Sequence, residues 1–189
     1  MSNLTKRTLT EIVKESIDTQ SVESLNHILN KAPRPNWVKK HPFATKEIVV
    51  NGQKVKMPTE YLSVARLETL LTQIFQQWQA EIVEYKQLAN AITVHVRVHY
   101  LHPVTQKWMF QDGLGAVDIQ VKKDSSPADL ANINANAIQK GLPAAESYAF
   151  KDAVQKLGKL FGRDLNRTDA PEYTSAYSLH PDWNPEIPE

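Results

Sequence analysis

An α+β fold, with antiparallel strands packed on helices, is predicted by three stretches of this 189-residue chain. Glu47 to Val50 and Gln53 to Met57 flank Asn51-Gly52, the dipeptide best suited to a type I′ turn, so a β-hairpin is expected there. Ala91 to Leu101 alternates: Ile92, Val94, Val96, Val98 and Tyr100 share one face, while Thr93, His95, Arg97 and His99 share the other. That is the pattern of a strand with one buried side. From Ala145 to Asn166, Phe150, Ala153, Val154, Leu157 and Phe161 recur at the three-and-four spacing of a buried helical face.

The remaining elements follow in order. Thr10 to Ile17 and Ser21 to Leu29 read as short helices, with Ser21 as N-cap of the second, and Pro33-Arg-Pro35 ends the helical pattern. After the hairpin, Pro58 and Thr59 are expected to open a long helix to about Trp78, because Leu67, Leu70, Leu71, Ile74, Phe75 and Trp78 form one apolar face. Strands are expected near Glu81 to Tyr85 and at Ala91 to Leu101. Lys107 to Phe110 should return as a partner, and Ala116 to Val121 should add a further strand. Lys123 to Pro127 reads as a loop, Ala128 to Gln139 as a helix rich in Asn and Ala, and Pro143 as the start of the last helix. This gives N-terminal helices in 1–34, a core in 35–167, and an acidic, proline-containing tail in 168–189 whose composition predicts disorder.

No apolar run approaches the ~20 residues that cross a bilayer, and the charged N-terminus lacks the apolar segment of a secretion signal. There is no cysteine, which removes disulfides and thiolate chemistry. A soluble protein of the cytoplasm, bacterial or phage-infected, is the expectation. The net charge of +1 conceals an asymmetry: all 22 Lys and Arg precede residue 168, while five of the 21 acids follow it. The body is therefore about six charges positive, which suits a polyanionic partner.

Candidate sites arise from cations and their spacing. Lys156, Lys159 and Arg163 repeat along one stripe of the last helix, where they can follow a phosphate backbone or serve as ordinary solvated lysines. Gly158 within that helix costs roughly 1 kcal/mol against alanine but lets another backbone come close. Lys39, Lys40, His41, Lys46, Lys54 and Lys56, followed by Tyr61, interleave charge with an aromatic as backbone tracking with base contact requires. A solvated strand edge guarded by lysines has the same spelling. Arg97 can meet phosphate or a cross-strand partner.

Catalytic and metal readings are weaker. His95 and His99 share a face but lie about 13 Å apart along a strand, too far to bind one ion. Gly113 and Gly115 do not extend to a dinucleotide-binding motif, because Asp118 holds the third glycine's place; a tight turn or bulge is the expectation for them. Asp112, Asp118 and Asp124 as magnesium ligands of a nuclease lack a basic or histidine partner at fixed spacing. No cofactor and no covalent catalysis are expected.

The run from Ala145 to Gly162, AESYAFKDAVQKLGKLFG, resembles the signature helix of the Rad52 superfamily of single-strand annealing proteins, especially its phage Sak-type members, including the closing Phe161-Gly162. Tyr61 to Leu67 resembles the start of that family's first core helix and Trp78 the aromatic that closes it. Val94 to Tyr100, Trp108 and Gln111 to Gly115 resemble its long hairpin and glycine-rich exit, so the likeness spans about Pro35 to Arg167. The resemblance implies a β-β-β-α annealing core that assembles as a homo-oligomeric ring with single-stranded DNA in a basic groove.

It implies groove contacts at Gln155 and Lys156, where the family has a Lys-Arg pair, then at Lys159, with Lys151 offsetting the missing charge at Gln155. It also implies contacts at Lys40 or His41 and at Tyr61, and an outer DNA path near Lys86, Lys122 and Lys123. The function implied is ATP-independent annealing of complementary strands in recombination and double-strand break repair, without enzymatic chemistry. Implied partners are single-stranded DNA, its complement, and a single-strand-binding protein or an exonuclease. The alternatives are an oligomeric structural or adaptor protein and a metal-dependent nuclease.

Overall fold

The computed structural model describes residues 21–50, 53–126 and 129–167. The helix expected at Thr10 to Ile17, the turn residues Asn51-Gly52 and the acidic tail lie outside the described residues. Helix α1 covers residues 21–29, with Ser21 already helical, and presents Leu25 and Leu29 to the core. Pro35–Trp37 then makes one 3-10 turn. Two guanidinium groups approach the Trp37 ring, Arg34 at 5.2 Å and Arg66 at 4.9 Å from its centroid.

Strands β1 (Lys39–Val50) and β2 (Gln53–Tyr61) pair antiparallel as a two-stranded ribbon, in the register the Asn-Gly signal predicts, with Val50 opposite Gln53. The ribbon is longer than expected. Pro58 lies within β2 opposite Thr45, next to a register shift between Lys40 and Thr45, and does not open a helix. A strand proline is tolerated at an edge or bulge, and in a two-stranded ribbon every strand is an edge. Helix α2 (Val64–Phe75) begins instead at Ser63, whose side chain accepts a hydrogen bond from the Arg66 N–H at 3.4 Å. It stops before Trp78 because Gln76 turns to φ 61°, so Trp78 opens the next strand.

That strand, β3 (Trp78–Leu88), pairs with β4 (Ala91–Leu101), which pairs with β5 (Trp108–Asp118), giving a three-stranded antiparallel meander. β4 has the expected bounds and alternation, with its apolar face buried. β5 is one strand where two were expected, and Gly113 and Gly115 are paired residues within it, opposite Val96 and Val94. They form neither a turn nor a bulge.

Of the helix expected at Ala128 to Gln139, Ala137 to Gln139 are helical as the start of the next helix and Ala128 lies outside the described residues; between them stand a 3-10 turn at Leu130–Asn132 and an isolated bridge between Val121 and Ile133. Short polar side chains compete for the backbone here: Asp129 accepts from the Ala131 N–H at 3.1 Å, and the Asn134 amide donates to the Val121 carbonyl at 3.2 Å. Helix α3 starts at Ala137, carries Pro143 inside it, and ends at Gln155. The continuous helix expected to Asn166 is therefore interrupted. Gly158 adopts φ 153° with its Cα against the backbone of Leu29, a Cβ there standing 2.9 Å from the Leu29 carbonyl carbon, and a 3-10 turn follows at Lys159–Phe161. Phe161 is fully buried, stacked 6.4 Å from Phe75, which in turn lies 4.6 Å from Tyr100.

What joins α3 to the sheet is small residues on both sides. Ala145, Ala149 and Ala153, all 0 % exposed, recur every four residues along one line of the helix. Opposite them stand Gly113 and Gly115: a Cβ at Gly113 would lie 2.8 Å from the Ala153 Cβ and closer still to the Ala149 carbonyl, and one at Gly115 would meet the Ala145 carbonyl. Side-chain-free strand therefore lies directly on helix backbone. α3 packs on β4 and β5 and reaches β3 at its first residue, where Trp78 lies 6.0 Å from Phe150; further along β3, Ile82 and Tyr85, whose partners Val96 and Val94 are buried, stay 50 % and 68 % exposed.

Gly113→Ala or Gly115→Ala must push α3 away from the sheet, and each is expected to cost the upper end of about 1–3 kcal/mol or more, read as a lower urea midpoint. Gly141→Ala is the control. Its Cβ would meet the tip of Ile92 at 3.1 Å and that of Val117 at an ordinary 3.9 Å, so the gain in helix propensity, up to about 1 kcal/mol, should offset the strain.

Candidate nucleic-acid interface

A groove of about 390 Å³ opens between the base of the β-ribbon and the exposed side of α3. Tyr61 and His41 form one wall, with ring centroids 6.1 Å apart. Tyr148, Lys151 and Gln155 form the other, at three-and-four spacing on α3. The Lys151 ammonium lies 4.9 Å from the Tyr61 ring centroid and 5.7 Å from that of Tyr148. Burial against these rings lowers the Lys151 pKa from its ordinary value, since a desolvated cation is less well stabilised. The two walls are fixed across the chain by Asn166, whose side chain accepts from the Glu60 N–H and donates to the Glu60 carbonyl, both at 2.8 Å. The result is a cation beside two aromatic rings in a cleft whose lining also includes Glu60 and Asp152, an arrangement that can meet a phosphate with an unstacked base beside it.

Four of the residues singled out from the sequence thus meet here: His41, Tyr61, Lys151 and Gln155. Lys39 and Lys40 adjoin them, paired with Tyr61 and Glu60 at the start of β1. Lys54 and Lys56 lie further out on the ribbon, opposite Val49 and Glu47, with Lys54 3.9 Å from the Glu47 carboxylate. Lys86 is on β3, 2.9 Å from Glu84, and Lys122 and Lys123 are exposed in the turn after β5.

The break at Gly158 splits the stripe, with Lys156 on one side and Lys159 and Arg163 gathered at Asp164 on the other. Lys156 pairs with Asp152 at 3.1 Å and donates to the Asp112 carbonyl, while Asp152 accepts from the Leu114 N–H at 3.1 Å. These two side chains thereby occupy the free edge of β5. Lys159 and Arg163 lie 3.8 Å and 3.4 Å from Asp164, whose side chain is only 10 % exposed, and Arg163 also donates to Asn30 at 3.2 Å. Tyr148, Asp152 and Asn166 are not singled out by the sequence. Tyr148 has one signal, a place three residues before Lys151 off the alanine line; Asn166 has none, because its partner is distant in sequence.

Arg97 faces away from α3, on the open side of the sheet. Its guanidinium makes a two-pronged pair with Asp112, at 2.7 Å and 2.9 Å, and lies 4.3 Å from the Phe110 ring centroid. His95 approaches the same carboxylate at 3.3 Å, while His99 pairs with Glu81 at 3.1 Å. The two histidines thus have separate carboxylate partners. Among the described residues no three His, Asp or Glu side chains gather as a metal site, so Asp112, Asp118 and Asp124 do not converge.

The hydrogen bond from Arg97 holds the Asp112 carboxyl at a pKa of about 2, below its ordinary value. A depressed acid adds stability that is present above its unfolded value near 4 and lost as pH falls toward 2. Asp112→Asn should therefore be less stable at pH 7, by no more than about 1 kcal/mol because the pair is partly exposed and screened. The gap from the wild type should close between pH 4 and 2 in paired urea titrations.

No helix among the described residues is long and apolar enough to cross a membrane. No curated protein matches the chain. Residues 23–183 match the family described as Rad52/22 family double-strand break repair protein, a span that includes the ribbon, the meander, α3 and the groove between them. With most of its length so matched, the chain belongs to the Rad52/22 family of double-strand break repair proteins.

Proposed function

We propose that this protein binds single-stranded DNA and promotes its annealing to a complementary strand, without ATP and without bond chemistry, in recombinational repair. The observation that carries the reading is the desolvated Lys151 between Tyr61 and Tyr148, with Lys39, Lys40 and His41 beside it. Neutralising phosphates releases counterions, and stacking on tyrosine holds bases apart from their own strand yet open to a second. Base pairing supplies the free energy, so no nucleotide cofactor is required. Lys54 and Lys56 extend the same path along the ribbon. Lys86, Lys122 and Lys123 are carried as the second, outer path. Lys156, Lys159 and Arg163 act mainly by fastening the framework on which the groove is built.

One chain offers few phosphate contacts, and the reading includes a closed homo-oligomer in which the groove repeats along one strand. The uncovered strand β3 supports it: Ile82, Val83, Tyr85 and Leu88 are all exposed, and its outer edge has no strand partner among the described residues. Apolar edges of this kind are usually covered. Further contacts with a single-strand-binding protein or an exonuclease fit the same role, in a cytoplasmic setting.

Lys151→Ala should weaken single-strand binding and reduce the slope of log affinity against log salt by roughly 0.7 for each phosphate that is no longer neutralised. Tyr61→Ala should weaken it with the slope unchanged, because stacking displaces no counterions. Fluorescence anisotropy of a labelled oligonucleotide across a salt series reads both. Binding insensitive to salt would favour an adaptor, and cleavage of the strand with magnesium would favour a nuclease.

Sedimentation of the purified protein without ATP or metal should show one large species. Ile82→Glu combined with Tyr85→Glu should dissociate it and abolish annealing, while circular dichroism stays that of the wild type. A monomer that anneals at full rate would overturn the ring.

A further inference from the structure

We infer that the groove continues past Tyr61 onto the bulge of β1 as a stacking subsite for one unpaired nucleobase, with Phe43 as its outer platform; this rests on the single-strand-binding reading above. Phe43 is 88 % exposed, the highest value among the exposed large hydrophobic side chains described. Its outward position is fastened. Lys40 and Thr45 bracket the register shift of β1, and within it the His41 Nδ1 accepts from the N–H groups of both Phe43, at 3.2 Å, and Ala44, at 2.8 Å. The Thr59 hydroxyl of β2 donates to the Ala44 carbonyl at 3.2 Å, and Pro42 restricts the backbone between. The bulge is thus tied to its own strand and to its neighbour.

The rings form a path into the groove. Phe43 and His41 lie 6.4 Å apart at 69°, His41 and Tyr61 lie 6.1 Å apart at 61°, and Lys151 follows over Tyr61. Edge-to-face rings do not cover one another, so the Phe43 ring keeps a face for a flat apolar group. Lys39 and Lys40, at the start of the same strand, are placed to meet the phosphates joining that base to the next. A phenylalanine adds no hydrogen-bond readout, so the subsite takes any base.

Full-length Phe43→Ala, Phe43→Leu and Phe43→Trp are compared with the wild type on two oligonucleotides of equal length, one normal and one with abasic sites throughout. On the normal strand, Phe43→Ala and Phe43→Leu are expected to bind about tenfold more weakly and Phe43→Trp to bind like the wild type. The salt slope should be the same for all four. On the abasic strand the four proteins should bind alike, because the base that Phe43 holds is missing. Equal weakening on both strands, or a change in sedimentation, would overturn the subsite and make Phe43 a contact to a second copy of the chain. Normal binding by Phe43→Ala, with Lys151→Ala still defective, would overturn the subsite alone. No binding by the wild type would overturn the single-strand reading itself.

Discussion

The close approach of α3 to β5 is the constraint on which the rest of the structure depends. With no side chains at Gly113 and Gly115, and only methyl groups at Ala145, Ala149 and Ala153, the helix sits on the strand's backbone. That seating fixes the rotation of α3 about its axis. Once the alanine line faces the sheet, Tyr148, Lys151 and Gln155 must face the ribbon, where Tyr61 and His41 complete the groove. It also lets Asp152 and Lys156 reach the Leu114 N–H and the Asp112 carbonyl, so the helix occupies the open edge of the strand it covers.

Charge in this protein has two employments, and position separates them. Around Asp164, with a side chain only 10 % exposed, stand Lys159, Arg163 and Arg167 at 3.4–3.9 Å, tying the turns after α3 together and, through Asn30, to the end of α1. Arg97, His95 and Asp112 do the same across the open face of the meander. Such groups hold strands and turns in register. Lys151 has aromatic neighbours instead of a carboxylate, and Lys39 and Lys40 stand at the groove's rim. An anion that enters there meets these cations in a groove whose lining also includes the acids Glu60 and Asp152.

The sheet is covered unevenly, and this separates the surfaces available for binding. α3 shields β4 and β5 and meets β3 only at Trp78, which leaves the rest of β3 exposed, with Ile82 and Tyr85 on the side that continues the core. An apolar strand beside a finished core is the geometry of a layer that another chain can extend. The groove lies on the other flank of α3, toward the ribbon. The assembly proposed through β3 and the strand binding proposed at Lys151 therefore fall on different faces of the same body.

Much of this was determined by local sequence. The period-two pattern of β4, the Asn-Gly signal of the ribbon and the apolar face of α2 each encode their element through contacts a few residues apart; Tyr61 and His41 are legible in that local spelling, and Lys151 and Gln155 through the resemblance of the run ending in Phe161-Gly162 to the family's helix. The departures have non-local causes. Gly158 ends the helix against Leu29, from the other end of the chain; Gly113 and Gly115 lie inside a strand because α3 needs their space; Pro58 joins β2 because a two-stranded ribbon leaves its missing donor harmless. Periodicity identifies Lys156, Lys159 and Arg163 as one row of cations, and cannot foresee that a backbone more than a hundred residues away turns that row into separate struts. Which residues are basic was written in the sequence, but which of them have a carboxylate within reach was decided only when the chain closed on itself.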